Sequence, residues 1–290
     1  MRKENCQHRP NCDIILSRHL CYAVSAAIFA GGPRCAGRAF PHLPLWHHTI
    51  FITVFSATII RSKQHFLGGI FLTVVYAIPV SAVNPDDGAS RARLSRGRME
   101  QIDRRHGTAR AQGFAASLLL EYAVAQHFPW VVHPLAISIA DGGKPYLVSE
   151  PNVHFSLSHS ANWAACAVSD RPVGVDIERC DPGRRDVASR FFHKEEVRYL
   201  NSLLPSARDD AFYKLWTLKE SFVKSTGRGL DLPLRSFQID IRRTPPRLDC
   251  NEVSGAYSLF LPDFSADRNY RLAVCIEQAN AEAPTVHIME

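Results

Sequence analysis

The stretch from residue 154 to residue 178 restricts the fold more than any other part of this chain, because it reads as three consecutive extended segments. His154-Phe-Ser-Leu-Ser-His-Ser160 alternates polar and apolar side chains at the period of a strand and ends in hydroxyls flanking His159. Residues 163–168 and 173–178 are two further strand-like runs, and the turn sequence Ser169-Asp170-Arg171-Pro172 between them predicts a hairpin. In Gly174-Val-Asp-Ile-Glu178 successive side chains point to opposite faces, so Asp176 and Glu178 share one face. Two carboxylates side by side repel unless a cation lies between them, which makes them candidates for holding a hard ion such as Mg²⁺. A hairpin edge carrying solvated acids accounts for the same pair, and from the pair alone it is slightly favoured.

Helical periodicity lies on both sides of these strands. Residues 211–224 place Phe212, Leu215, Trp216, Phe222 and Val223 on one buried stripe, and Gly227 and Gly229 end the helix. Glu220 and Lys224 are four apart on one face, where a surface ion pair would be worth only about 0.3–0.5 kcal/mol. Glu220 is also a third carboxylate to set beside Asp176 and Glu178. Earlier in the chain, seven arginines crowd residues 91–110, ahead of Phe114, Leu118, Tyr122 and Ala125 at helical spacing. Such an arginine-rich helix start is either a solvated face or a phosphate clamp. Gly142-Gly-Lys-Pro-Tyr-Leu147 is a turn leading into an extended segment, with Lys144 as a cation beside it.

The positive net charge of +6 would invite a nucleic-acid reading if it were spread over the chain. It is not: residues 1–66 hold eight basic and two acidic side chains, and the remainder carries equal numbers of each. No basic stripe with interleaved aromatics appears beyond residue 66, so neither nucleic acid nor a membrane is expected as a partner. Cys6, Cys12, Cys21 and Cys35 lie in the first quarter, while Cys166, Cys180, Cys250 and Cys275 are scattered without paired spacing, which suits a reduced, cytoplasmic protein. Cys6-x-His8-x3-Cys12 could be half of a metal site, but no second ligand pair follows. Residues 1–66 are therefore read as a poorly ordered extension outside the fold. The character changes at Leu67: residues 70–80 are dense in β-branched and aromatic side chains and Pro79 stops them, an opening strand. As a membrane helix, residues 67–83 would be short and broken by two glycines and a proline.

Taken in order, Gly142-Gly-Lys-Pro145, Phe155-Ser-Leu-Ser-His-Ser160, Gly174-Val-Asp-Ile-Glu178, Phe191-Phe-His-Lys-Glu-Glu196 and Trp216-Thr-Leu-Lys-Glu-Ser-Phe-Val-Lys224 resemble the surfactin-synthetase-type 4′-phosphopantetheinyl transferases. The resemblance runs from about Ile70 to Cys275. It implies an α+β fold of two similar halves in pseudo-twofold duplication, each a small antiparallel sheet on a long helix, with the active site in the cleft between them. The halves would span 67–172 and 173–290, and a monomer is expected. The implied reaction moves 4′-phosphopantetheine from coenzyme A to a serine of an apo acyl or peptidyl carrier protein. It depends on Mg²⁺ and releases 3′,5′-ADP.

At the level of residues, the resemblance implies that Asp176, Glu178 and Glu220 hold Mg²⁺ against the coenzyme A pyrophosphate, with Lys219 and Lys224 adding positive charge. Glu196 is the first candidate for the base that takes the serine proton, and Glu220 is the second. Lys144, Ser158 and His159 would grip the 3′-phosphate, with Arg98 and Arg110 completing that clamp. A histidine at a strand end can equally be structural. The alternative is a catalytically silent homologue that binds carrier proteins, which would keep the fold and lose a metal carboxylate; Asp176, Glu178 and Glu220 are all present.

Overall fold

The computed structural model describes residues 72–181 and 187–290. The extension expected at 1–66, with its Cys6, His8 and Cys12 spacing, and the first residues of the expected opening strand lie outside the described residues. The chain is a mixed α+β protein. Strand β1 (Thr73–Pro79) is followed by short helices α1 (Gly88–Arg91) and α2 (Arg96–Asp103) and by the long α3 (Gly107–His127). Next come β2 (Ile137–Ile139), β3 (Pro145–Leu147), β4 (His154–Ser160), β5 (Trp163–Ser169) and β6 (Val173–Arg179). Helices α4 (Ala188–Phe191) and α5 (Lys194–Ser202) lead into α6 (Pro205–Thr226). The remaining strands are β7 (Gln238–Asp240), β8 (Arg247–Asp249), β9 (Ser258–Phe260), β10 (Tyr270–Ile276) and β11 (Thr285–Ile288). Among the described residues no helix is long and apolar enough to cross a membrane.

Two sheets meet face to face, and each carries a long helix on its outer side. The first has strand order β11-β1-β5-β4 and the second β6-β10-β9. Val75, Ala77, Ala165 and Ala167 of the first sheet pack on Val173, Val175, Ile177, Leu272 and Val274 of the second. On the outer face of the first sheet, Val74, Tyr76, Cys166 and Val168 meet Ala116, Leu119, Leu120 and Ala123 of α3. On that of the second, Ala273 and Cys275 meet Leu215, Leu218 and Phe222 of α6. Strand β5, Trp-Ala-Ala-Cys-Ala-Val-Ser, is buried at every position, because α3 covers one face and the second sheet the other. Its small side chains allow that close approach from both sides.

The hairpin predicted across residues 169–172 does not form. β5 is already bonded to β1 on one edge and β4 on the other, so no edge is left for β6. The hairpin is instead β4–β5, turning through Ala161 and Asn162 with Ala161 in the left-handed region at φ 45°. Pro172 leads the chain across to the second sheet, where β6 pairs antiparallel with β10. The division at residue 172 is also crossed at the other end: β11 returns to the first sheet and runs parallel to β1.

Helix α6 begins at Pro205, whose fixed φ suits a first turn, and stops at Gly227, which takes φ 71° without steric cost. It lies very close to β6. A Cβ added to Gly174 would stand 1.9 Å from the carbonyl oxygen of Ser221 on α6. Gly174→Ala is therefore expected to cost about 3 kcal/mol or more, at the upper end of overpacking effects, because backbone and not a flexible side chain must move. Chemical denaturation measures this, and an unchanged midpoint would refute the close contact.

Candidate active site

Strand β6 is the edge of the second sheet, and an edge strand leaves a row of N–H and C=O groups without a backbone partner. In this protein side chains meet five groups of that row. The N–H groups of Val175, Ile177 and Arg179 donate to the hydroxyls of Ser156, Ser158 and Ser160 at 3.0, 3.2 and 3.1 Å. The contacts advance two residues at a time along both strands in the same sense, so β4 runs parallel to β6 at a spacing bridged by serine. The carbonyls of Val173 and Val175 accept from Lys144 Nζ and Lys224 Nζ, both at 3.1 Å. This seam between the sheets positions the carboxylates.

Asp176 faces α6 and is only 4% exposed, so the solvated-edge account of this acid does not hold. Its Oδ1 accepts from Ser158 Oγ at 2.8 Å and from Lys224 Nζ at 2.7 Å, and Lys224 also donates to Ser158 Oγ at 3.1 Å. Oδ2 is buried and has no hydrogen-bond partner among the described residues. Glu178, two residues on, accepts from Ser160 Oγ at 2.6 Å. Burial pushes the Asp176 carboxyl up to about 7 against the pull of Lys224, and the nearby charges of Glu178 and Glu220 push in the same direction. A buried carboxylate oxygen without a donor is costly, and a cation satisfies it. Among the described residues no group of three or more His, Cys, Asp or Glu side chains already stands as a metal site. The open Oδ2 beside two further carboxylates nevertheless suits Mg²⁺, which takes oxygen ligands.

A family model described as the 4′-phosphopantetheinyl transferase superfamily matches residues 172–275, a span that contains all three carboxylates. A 4′-phosphopantetheinyl transferase of Bacillus subtilis is 37% identical over 158 residues, covering 54% of this chain and 70% of the relative. The chain belongs to the 4′-phosphopantetheinyl transferase superfamily. The transferase Sfp of Bacillus subtilis strain 168 is 33% identical over 167 residues, with the same coverage of 54% and 70%. A crystal structure of the Thermotoga maritima holo-[acyl-carrier-protein] synthase matches 38% of this chain and 64% of its own with 18% identity and a TM-score of 0.31.

Within this transferase the other expected residues are not all brought together. Glu196 and Lys219 form a buried ion pair at 2.9 Å, with side-chain exposures of 1% and 0%. Glu196 occupies the third position of α5, where its Oε2 accepts from the His193 N–H in a capping box, and its Oε1 accepts from the Ile239 N–H at 2.7 Å. Lys219 donates to the carbonyls of Leu234 and Phe237, both at 2.8 Å, and lies 4.1 Å from the centroid of the Phe237 ring. Burial lowers the Lys219 ammonium to about 8 and raises the Glu196 carboxyl, and their mutual attraction opposes both shifts. The pair ties α5, α6 and β7 together. The spacing His193-x-x-Glu196 ahead of a helix was the available sequence signal for this role.

Lys144, Ser158 and His159 have different local settings. Lys144 Nζ is held by the carbonyls of Val173 and Ser225, the latter at 2.9 Å, and burial lowers it to about 8. Ser158 pairs across from Ala165 and points to the inter-sheet side, whereas His159 pairs across from Ala164 and points to the α3 side. Adjacent residues of a strand must diverge in this way.

Arg110 is neutralised by Asp86 at 2.8 Å and Asp103 at 3.0 Å. Arg98 is different: it donates to neutral acceptors, Ser117 Oγ at 2.8 Å and Gln101 Oε1 at 3.2 Å. Burial lowers it to about 10, and the like charge of Arg105 adds to that shift. Arg105 was not anticipated from the sequence. Its guanidinium lies over Gly113, whose added Cβ would be 3.0 Å from Nη1, four residues from Ser117 on the same face of α3.

Proposed function

We propose that this chain transfers 4′-phosphopantetheine from coenzyme A to a serine of an apo acyl or peptidyl carrier protein, with Mg²⁺ at Asp176, Glu178 and Glu220. Beside the family membership, the observation that carries this reading is the buried Asp176, its Oδ1 paired with Lys224 and its Oδ2 left without a donor. Mg²⁺, when bound, supplies charge neutralisation at the pyrophosphate. Lys224 holds a fixed positive charge beside the same oxygens. The carrier serine Oγ forms a bond to the β-phosphorus while the bond from that phosphorus to the bridging oxygen breaks, and 3′,5′-ADP leaves. Glu220 takes the serine proton; Glu196 is enclosed by Lys219 and two backbone N–H groups and is given a structural role.

Arg98 and Arg105 are the proposed cations for the 3′-phosphate, since two close guanidinium groups, with Arg98 bonded to neutral acceptors, suit an anion. His159 faces the same side of the sheet as α3. Each sheet with its helix is read as one half of a duplicated unit, and the catalytic cleft as the seam between them. A silent carrier-binding homologue is disfavoured, because all three carboxylates are retained.

The test is incubation of the full chain with coenzyme A, Mg²⁺ and a panel of apo carrier proteins, read by intact mass. A phosphopantetheine adduct that disappears on chelation is expected, and no adduct across the panel would overturn the proposal. For the clamp, Arg105→Ala is expected to raise the KM for coenzyme A about tenfold, since hydrogen bonds to charged groups are worth about 1.5–3 kcal/mol. Use of dephospho-coenzyme A should be unchanged. Equal losses on both substrates would remove Arg105 from the clamp.

A further inference from the structure

The serines of β4 do more than cap the edge of β6. Each hydroxyl accepts one backbone N–H, which leaves its own proton to be directed elsewhere. Ser158 accepts from Ile177 N–H and donates to the carboxylate of Asp176. Ser160 accepts from Arg179 N–H and donates to the carboxylate of Glu178. The same relation, one residue back from the N–H it caps, repeats at the strand period. At the third rung the pattern has no carboxylate: Ser156 accepts from Val175 N–H, and the residue one back is Gly174.

We propose that Ser160 is a positioning residue of the reaction, which fixes the rotamer of Glu178 through an Oγ–H bond of 2.6 Å so that its carboxylate would be ready to hold the cation. This deepens the proposed function and rests on it. The physical reason is rotamer entropy: a glutamate has three side-chain torsions, and a hydroxyl anchored to β6 by Arg179 N–H selects among them before the cation arrives. Ser158 performs the same task for Asp176, where Lys224 shares it. The hydroxyl need not touch coenzyme A or the carrier protein to act.

Ser156 is a built-in control, because Ser156→Ala and Ser160→Ala each delete one hydroxyl to N–H bond from the same ladder, at sites exposed by 4% and 2%. The measurement is Mn²⁺ binding to the full chain with coenzyme A present, read from the magnetic resonance signal of free Mn²⁺, together with the unfolding midpoint of each variant. Ser160→Ala is expected to weaken Mn²⁺ binding by roughly 10-fold or more, the usual effect of removing a group that orients a metal ligand. Ser156→Ala should bind Mn²⁺ within about twofold of wild type while losing a similar amount of thermal stability, since independent sites add. In a Glu178→Gln background, Ser160→Ala should cause no further loss of binding. Equal effects of Ser156→Ala and Ser160→Ala, or additive losses with Glu178→Gln, would reduce Ser160 to a purely structural bond and overturn the proposal. If wild type itself bound no Mn²⁺ and modified no carrier protein, the metal-dependent function would fall first and this proposal with it.

Discussion

Asp176→Asn is expected to lower kcat/KM for carrier-protein modification by about a thousandfold at saturating Mg²⁺, with the unfolding midpoint within a few degrees of wild type. The asparagine keeps the shape of the side chain and an acceptor for Ser158 Oγ, whose present bond is 2.8 Å. What it removes is the negative charge, and with it both the partner of Lys224 at 2.7 Å and the best oxygen for a divalent ion. Transition-state stabilisation by a bound metal is worth several kcal/mol, and about 4 kcal/mol corresponds to a thousandfold in rate. The fold should survive, because Lys224 keeps Ser158 Oγ and the Val175 carbonyl as acceptors, and burial and the charges of Glu178 and Glu220 already penalise the charge that is lost. Steady-state kinetics and thermal unfolding measured on the same preparation decide the matter. Unchanged transfer would remove Asp176 from the site, and global unfolding would make the aspartate structural.

Glu196→Ala should give the reverse pattern, a large loss of stability with catalysis retained in whatever fraction remains folded. Removal of one partner of a buried ion pair typically costs about 3–5 kcal/mol, because the other charge is left without compensation. Lys219 would be that charge, with a fully buried side chain held by the carbonyls of Leu234 and Phe237 and by the face of the Phe237 ring. At about 2–4 °C per kcal/mol for a chain of this size, the midpoint should fall by roughly 6–20 °C. Two backbone donors, His193 N–H and Ile239 N–H, lose their acceptor as well. The comparison that decides is turnover per folded molecule at a temperature well below the variant's midpoint. If that falls by orders of magnitude while stability is untouched, Glu196 is the proton acceptor and Glu220 is not.

Together these two substitutions separate what the motifs show from what they leave open. A glutamate in Phe191-Phe-His-Lys-Glu-Glu196 and a lysine in Trp216-Thr-Leu-Lys219 look equally chemical in one dimension. In three dimensions they neutralise each other inside a hydrophobic core that includes Phe192, Phe212 and Phe237. Arg98 and Arg110 were indistinguishable for the same reason. Whether an arginine is available to an anion depends on whether a carboxylate has already taken it, and Asp86 lies 24 residues before the Arg110 it neutralises.

The sequence by itself determined the periodic elements and their faces. The helix expected over 211–224 lies within α6, although Trp216 is only half-buried and Thr217, Lys219 and Ser221 are buried too; the opening strand contains β1, and Asp176 and Glu178 share a face of β6 while Val175 and Ile177 take the other. These are local properties, set by 3.6 and 2.0 residues per repeat and readable from neighbours along the chain. Only the tertiary structure decided which edges were free. β5 had none left after β1 and β4, so β6 opened a second sheet, and its unpaired N–H groups were met by serine hydroxyls from β4. Edge pairing is a competition among all strands of the fold for a limited number of backbone donors and acceptors, and no local pattern contains its outcome.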